Sequence, residues 1–187
     1  METKKRCDWC EKDDLYRTYH DQEWGVPVYD DAVFFEFIIL ESFQAGLSWY
    51  TVLAKRDHFR TAFADFDYTK VAQFDEEKIQ ELLQNKGIIR NQLKIRAAVA
   101  NAKAFMEVQK TFGSFSNYIW SFTDGKIIEN TPKSTSELLA KTPLSDEISK
   151  DLKKRGFKFM GSTVVYAHLQ ATGIINDHLT SCWKRKS

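Results

Sequence analysis

Residues 31–45 read DAVFFEFIILESFQA, and a segment of that kind cannot be an ordinary surface helix. Apolar side chains occupy nearly every face at the helical period, so the segment is stable only as a central helix covered by neighbours on most sides. Two carboxylates, Glu36 and Glu41, lie inside this apolar run. Whatever fold the chain adopts must bury this helix and account for both acids.

The flanking sequence supplies helices to cover it. Leu47 to Lys55 reads as a helix after the break at Gly46. Asp75 opens DEEKIQELLQ, with acids in the first turn to complement the dipole and Ile79, Leu82 and Leu83 at helical spacing, and Gly87 closes it. Ile95, Ala98, Val99, Ala102 and Phe105 keep the same period from Asn91 to Lys110, and Gly113 stops the run. Ser114 to Phe122, Ser145 to Arg155 and Gly161 to Thr172 complete the set, while 123–143 is loop-like with a turn at Asp124-Gly125. No succession of period-two strands occurs, so the expected fold class is all-α. Residues 1–187 read as one domain of two closely packed helical subdomains.

Composition narrows the function classes. Lys plus Arg number 27 against 26 Asp plus Glu, so the net charge is +1 and no global field announces a nucleic-acid or membrane partner. Any such partner must be met by a local patch. The N-terminus lacks a signal-like apolar stretch, and no window approaches a membrane span, so a cytoplasmic protein is expected. No P-loop, GxGxxG or Ser-His-Asp order is present. Five Trp, seven Tyr and fourteen Phe exceed what packing such a helical core requires, which suggests that some rings line a site.

Three cysteines, Cys7, Cys10 and Cys182, stand at the two chain ends, an odd number that argues against a disulfide framework. Cys7 with His20 and His178 with Cys182 supply four N/S ligands of the kind zinc takes, and the H-x3-C pair lies one helical turn apart on one face. Cys7-x2-Cys10 is also a ligand spacing, so Cys10 could stand in place of His20. The alternative is that the two termini carry unrelated Cys and His residues.

Trp9, Tyr16, Tyr19, Trp24 and Trp49 could supply stacking faces for a planar ring, or could be ordinary core. Glu36 and Glu41, five residues apart, project about 140° from each other around their helix, so at most one faces a given pocket. A buried carboxylate must be paired, protonated or functional, and periodicity does not choose between the two. Lys150, Lys153, Lys154, Arg155 and Lys158 crowd the approach to Gly161, Ser162 and Thr163, where a helix N-terminus could receive a phosphate. Lys86, Arg90, Lys94 and Arg96 form a second basic group, and either group could equally be a solvated face.

Four segments together carry a resemblance: YHDQEWGVP from Tyr19, LESFQAGLSWYTVLAKR from Leu40, LKKRGFKFMG from Leu152 and NDHLTSC from Asn176. In order and spacing they resemble the bacterial DNA-3-methyladenine glycosylase I (Tag) family. The resemblance implies an all-α helix-hairpin-helix DNA glycosylase fold, with N- and C-terminal segments joined by one structural zinc on Cys7, His20, His178 and Cys182. It implies Glu41 as the base-recognition carboxylate, with Tyr19 and Trp49 stacking on the base and Trp9, Tyr16 and Trp24 around them. Gly46 and Leu47 would plug the duplex, and Lys154, Gly156, Lys158 and Gly161 would grip the DNA backbone. Cys10 matches no family ligand.

The implied activity is base-excision repair: N3-methyladenine is flipped from alkylated duplex DNA and released by hydrolysis of its N-glycosidic bond, leaving an abasic site. A cationic base is already a good leaving group, so no general acid is required. The stretch after the hairpin holds no carboxylate before Asp177, and no water-activating residue is assigned. Lys158 is read as a phosphate contact, with no lyase activity, and a monomer is expected.

Overall fold

Helix α2 (Asp31–Gln44) is the axis around which the protein is built, with every residue from Phe34 to Phe43 buried. The structure, a computed structural model, describes residues 4–186; residues 1–3 and 187 of the expected domain lie outside the described part. Asp30 caps α2 by accepting from the Ala32 N–H at 2.8 Å. Asp31 reaches across the fold and accepts from the backbone N–H groups of Phe115 and Ser116, each at 2.8 Å. One acid at the head of the central helix thereby also caps a neighbouring one.

The other helices are α1 (Asp14–Gln22), α3 (Trp49–Leu53), α4 (Arg56–Ala62), α5 (Tyr68–Val71), α6 (Glu76–Gln84), α7 (Gln92–Phe112), α8 (Phe115–Ser121), α9 (Pro143–Lys154) and α10 (Ser162–Ala171). The fold is helical as expected. Side-chain caps mark the starts: Asp13 for α1, Ser48 for α3, Asp75 for α6, Asn91 for α7 and a Thr142/Ser145 capping box ahead of Pro143 for α9. Ser48 as cap places Gly46 and Leu47 outside α3, in an exposed turn, and not inside a helix beginning at Leu47.

Helices α1, α4 and α5 carried no clear sequence signal. The turn between α4 and α5 runs through three consecutive left-handed residues, Ala64, Asp65 and Phe66, with φ of 52°, 56° and 58°. None is glycine, so composition gives no warning of it. Residues 123–143 form no α-helix, but Ile128–Glu129 pairs in parallel with Ile175–Asn176 and ties this loop to the C-terminal segment. Two facing residue pairs, each joining partners 47 positions apart in the chain, lie below what alternation can reveal.

The second basic group is only partly a surface patch: Lys86, Arg90 and Arg96 are exposed, and Lys94 is buried. The Lys94 ammonium is buried against the end of α2 and donates to the Phe43 carbonyl at 2.8 Å and the Ala45 carbonyl at 2.5 Å. Arg96 is held by Glu76 at 2.7 Å. Lys94 is therefore a C-cap for the central helix, where a cation complements the dipole.

Candidate active site and metal centre

Helices α1, α2, α3 and α10 and the 123–143 loop enclose a cavity of about 290 Å³. Trp9, Tyr16, Tyr19, Trp24 and Trp49 line it with Glu41, so the five aromatic residues singled out in the sequence do converge on one carboxylate. Tyr19 and Trp49 approach at 5.4 Å with their planes inclined by 47°. Trp9 meets Tyr16 and Trp24 edge-on, each at 5.0 Å. Gln44, Thr135, Leu138, Ala167, Gln170 and Ala171 complete the lining and were not anticipated. Ala167 and Ala171 at helical spacing leave room beside α10, a signal that reads as plain core in the sequence.

The structure separates the two acids of α2. Glu36, also buried, turns toward α4 and accepts from Arg56 at 2.7 Å and Arg60 at 2.8 Å. Glu41, further along the helix, is buried at the cavity, and its hydrogen-bond partner among the described residues is His168, whose Nδ1 lies 2.7 Å from its Oε2. Burial pushes the Glu41 pKa up, with the neighbouring His168 pulling the other way. Burial likewise pushes the Tyr19 hydroxyl well up, with the Glu41 charge adding to it. Among the described residues, the two buried side-chain polar atoms without a partner are Trp49 Nε1 and His168 Nε2, both at this site. Unsatisfied groups gathered in one place mark a site built for something other than its own stability.

Cys7, His20, His178 and Cys182 are all buried, and their ligand atoms lie within 4.8 Å of one another, so the four could hold a metal ion. Cys182 Sγ is 3.4 Å from His20 Nε2 and 3.6 Å from His178 Nδ1, and Cys7 Sγ is 3.7 Å from that same Nδ1. The remaining ring nitrogens are fixed from outside, His20 Nδ1 by Asp21 at 2.9 Å and His178 Nε2 by the Trp24 carbonyl at 3.1 Å. A hydrogen bond from the free Cys7 thiol holds Cys182 well below the ordinary thiol value, against burial, with His178 and His20 assisting. Cys10 stands apart: its Sγ donates to the Cys7 carbonyl at 3.1 Å in a 3-10 turn, and burial pushes its thiol up to about 12. The cluster also backs the cavity wall, because Trp24 packs edge-on against His178 at 4.6 Å and Trp9 against His20 at 5.4 Å.

Gly46 and Leu47 protrude just beyond the end of α2, with Gly46 at φ +79° and Leu47 43% exposed. Close by, with the Phe159 ring 6.0 Å from the Lys94 ammonium that bonds the Ala45 carbonyl, Gly156 to Gly161 join α9 to α10. Gly156 adopts φ +98°, a conformation that a side chain would strain. Phe157 and Met160 anchor this connector in the core. Asn101 of α7 clamps it, accepting from the Lys158 N–H at 2.7 Å and donating to the Lys158 carbonyl at 3.1 Å. The Lys154 and Lys158 side chains are left exposed, and Lys150, Lys153 and Lys154 line a groove with Ser162 at the start of α10. Arg155 differs from its neighbours because Asp151 holds it at 2.6 Å.

A concave, largely aromatic cavity with one buried carboxylate in its lining has the form of a small-molecule site in this helical protein. Residues 9–185 match the methyladenine glycosylase family, and the chain belongs to that family. DNA-3-methyladenine glycosylase 1 of Escherichia coli strain K12 is 46% identical over 178 residues, 95% of this chain and 95% of that one. DNA-3-methyladenine glycosylase of Haemophilus influenzae is 45% identical over 177 residues, covering 95% and 96%. A crystal structure of 3-methyladenine DNA glycosylase I (TAG) superposes with a TM-score of 0.93 at 47% identity, covering 96% of this chain and 98% of that one.

Proposed function

We propose that this chain is a DNA repair enzyme that flips N3-methyladenine out of alkylated duplex DNA and hydrolyses its N-glycosidic bond. The Glu41 carboxylate buried at the aromatic cavity carries this reading, and family membership supports it. At the nucleoside level the lesion is a cation. Tyr and Trp faces favour a cation by roughly 0.5–2 kcal/mol, depending on desolvation. Glu41 accepts a hydrogen bond from the adenine edge and offsets the same charge. Tyr19 and Trp49 are the stacking faces, and Trp9, Tyr16 and Trp24 shape the walls. Extrusion costs least for a damaged base that pairs poorly, so selection begins before the cavity is reached.

In this reading α9, residues 156–160 and α10 form the helix-hairpin-helix, with Lys154, Gly156, Lys158 and Gly161 as backbone contacts and the free N–H groups of α10 facing a phosphate. Gly46 and Leu47 fill the gap that the base leaves. The enzyme is monofunctional: cleavage passes through an oxocarbenium-like sugar that water attacks, free 3-methyladenine and an abasic site are the products, and Lys158 forms no covalent intermediate. The protein acts as a cytoplasmic monomer and a single glycosylase domain.

One zinc ion fits the Cys2His2 cluster. Zinc takes sulfur at about 2.3 Å and nitrogen at about 2.0–2.1 Å, which for a tetrahedron gives sulfur–nitrogen edges of about 3.5 Å. Three of the four sulfur–nitrogen separations in the protein are 3.4, 3.6 and 3.7 Å, and all four ligand atoms lie within 4.8 Å of one another. With all four positions filled by protein ligands, such an ion supplies structural cross-linking of the two termini and no open coordination site.

Single-turnover release of base from methylated duplex DNA tests the reading, with 3-methyladenine, 7-methylguanine and 3-methylguanine lesions in parallel. Release of 3-methyladenine by the wild type and its near-complete loss in Glu41→Gln, with the fold intact by circular dichroism, is expected. Binding of the methylated duplex without release of any base would make the chain a damage-binding module and refute the enzyme.

A further inference from the structure

Glu41 presents two different oxygens. Oε2 is taken up by His168, at 2.7 Å between two side chains that are almost completely buried. Oε1 makes no hydrogen bond among the described residues, and Glu41 lines the cavity. His168 is not itself part of the cavity wall. It stands behind the carboxylate on α10, with its ring 5.8 Å from Phe34 and 6.5 Å from Phe115.

The partners fix the proton. A carboxylate only accepts, so the hydrogen of this contact sits on His168 Nδ1. Nε2 is buried and has no hydrogen-bond partner among the described residues. A protonated imidazole would leave a charged N–H donor there unsatisfied in an apolar setting, which costs more than leaving a lone pair unused. The neutral Nδ1–H form is therefore the one the surroundings tolerate. With it, the Glu41–His168 pair keeps one negative charge and does not cancel to zero.

We propose that His168 is a positioning residue: its neutral imidazole occupies Oε2, turns Oε1 of Glu41 into the cavity and preserves the single negative charge that matches a cationic alkylated base. The inference rests on Glu41 being the base-recognition carboxylate. It adds a specificity device, because a neutral purine gains nothing from that net charge whereas the alkylated, cationic form does. The titratable groups facing Glu41 are His168 from α10 and Tyr19 from α1, with Tyr16 across the cavity. Glu36, on the same helix, is engaged by Arg56 and Arg60. Since His168 is what opposes the upward pull of burial on Glu41, its loss moves the acid limb of activity toward neutral pH.

Three variants test this: His168→Leu, which removes the donor; His168→Asn, whose amide nitrogen can stand near the place of Nδ1; and His168→Leu combined with Glu41→Gln. Base release is followed against pH, and affinity for free 3-methyladenine is measured by titration calorimetry. His168→Leu is expected to lower release at pH 7 by roughly tenfold or more, the worth of one hydrogen bond to a charged group, and to shift the acid limb upward. His168→Asn is expected to recover most of the loss. In the Glu41→Gln background the Leu substitution should have no further effect on base affinity. Nitrogen-15 shifts of the wild-type ring at pH 7 should report a neutral Nδ1–H tautomer. Unchanged release and pH profile in His168→Leu, a doubly protonated ring at pH 7, or failure of the Asn variant to recover despite normal folding would each overturn the proposal. If the wild type releases no base, the glycosylase reading fails first, whereas an active wild type with indifferent His168 variants refutes this inference alone.

Discussion

Lys94→Met separates the scaffold of the site from its chemistry. Methionine keeps most of the apolar stem but removes the ammonium that donates to the Phe43 and Ala45 carbonyls at the end of α2. Hydrogen bonds to a charged group contribute about 1.5–3 kcal/mol each, and a buried carbonyl left unpaired costs about 1–3 kcal/mol. Relief of the ammonium's own desolvation, which already pushes the Lys94 pKa down, offsets part of this. A net loss of about 1–3 kcal/mol follows, or about 2–12 °C in Tm for a chain of this size. Gly46 and Leu47 come directly after Ala45, so the exposed turn loses its anchor, while Glu41 lies a full turn back in the helix. Base release from duplex DNA should therefore fall about tenfold, as small misplacements of a positioning group do, while the Kd for free 3-methyladenine stays within about twofold. Thermal unfolding by circular dichroism, single-turnover release and calorimetric base binding measure the three quantities. A Tm within 1 °C of wild type, or base affinity falling in step with release, would refute the assignment of Lys94 as the anchor of that turn.

Glu41→Gln is expected to stabilise the fold at neutral pH. Burial raises the Glu41 pKa above its ordinary value near 4.5, so the ionised form costs stability above that value and the cost is absent below it. The variant should gain about 0.5–2 kcal/mol at pH 7, shrinking to nothing by about pH 4 in urea melts, as stability is recovered when a functional charge is removed. A difference independent of pH would contradict the burial argument. For the metal centre, Cys182→Ser should lose its equivalent of zinc in elemental analysis and weaken free-base binding several-fold, because Trp9 and Trp24 rest on His20 and His178. Retention of one zinc equivalent after that substitution would count against the four ligands.

The centrality of α2 was legible because its apolar residues leave no polar face, whereas the Cys/His cluster was legible only in part, since spacing left Cys10 open in place of His20 and His178 to Cys182, read as one helical turn, form a non-helical turn. The choice between Glu36 and Glu41 was not legible, since both sit in the same apolar helix. It depends on Arg56 and Arg60, contributed by α4, a helix with no strong periodic signal. His168 was overlooked because a histidine at a core position of α10 looks like packing until its partner across the fold is known. Lys94 misled for the converse reason: a lysine among Lys86, Arg90 and Arg96 reads as surface, and only the end of α2 beside it explains its burial. Cys10 lay open because C-x2-C spacing fits a metal, whereas the 3-10 turn directs its sulfur to the Cys7 carbonyl. The lining contributed by Thr135 and Leu138 comes from an irregular loop, where side-chain direction follows from tertiary contacts and not from any repeat.

The burial of all three cysteines has a chemical consequence. Cys7, Cys10 and Cys182 have no exposed surface, so the protein offers the solvent no thiol. Electrophiles that methylate adenine also methylate sulfur, and a thiolate is the most nucleophilic group a protein ordinarily displays. An enzyme working where such reagents are abundant keeps its soft nucleophiles out of their reach, so the poison that creates its substrate does not first consume the catalyst.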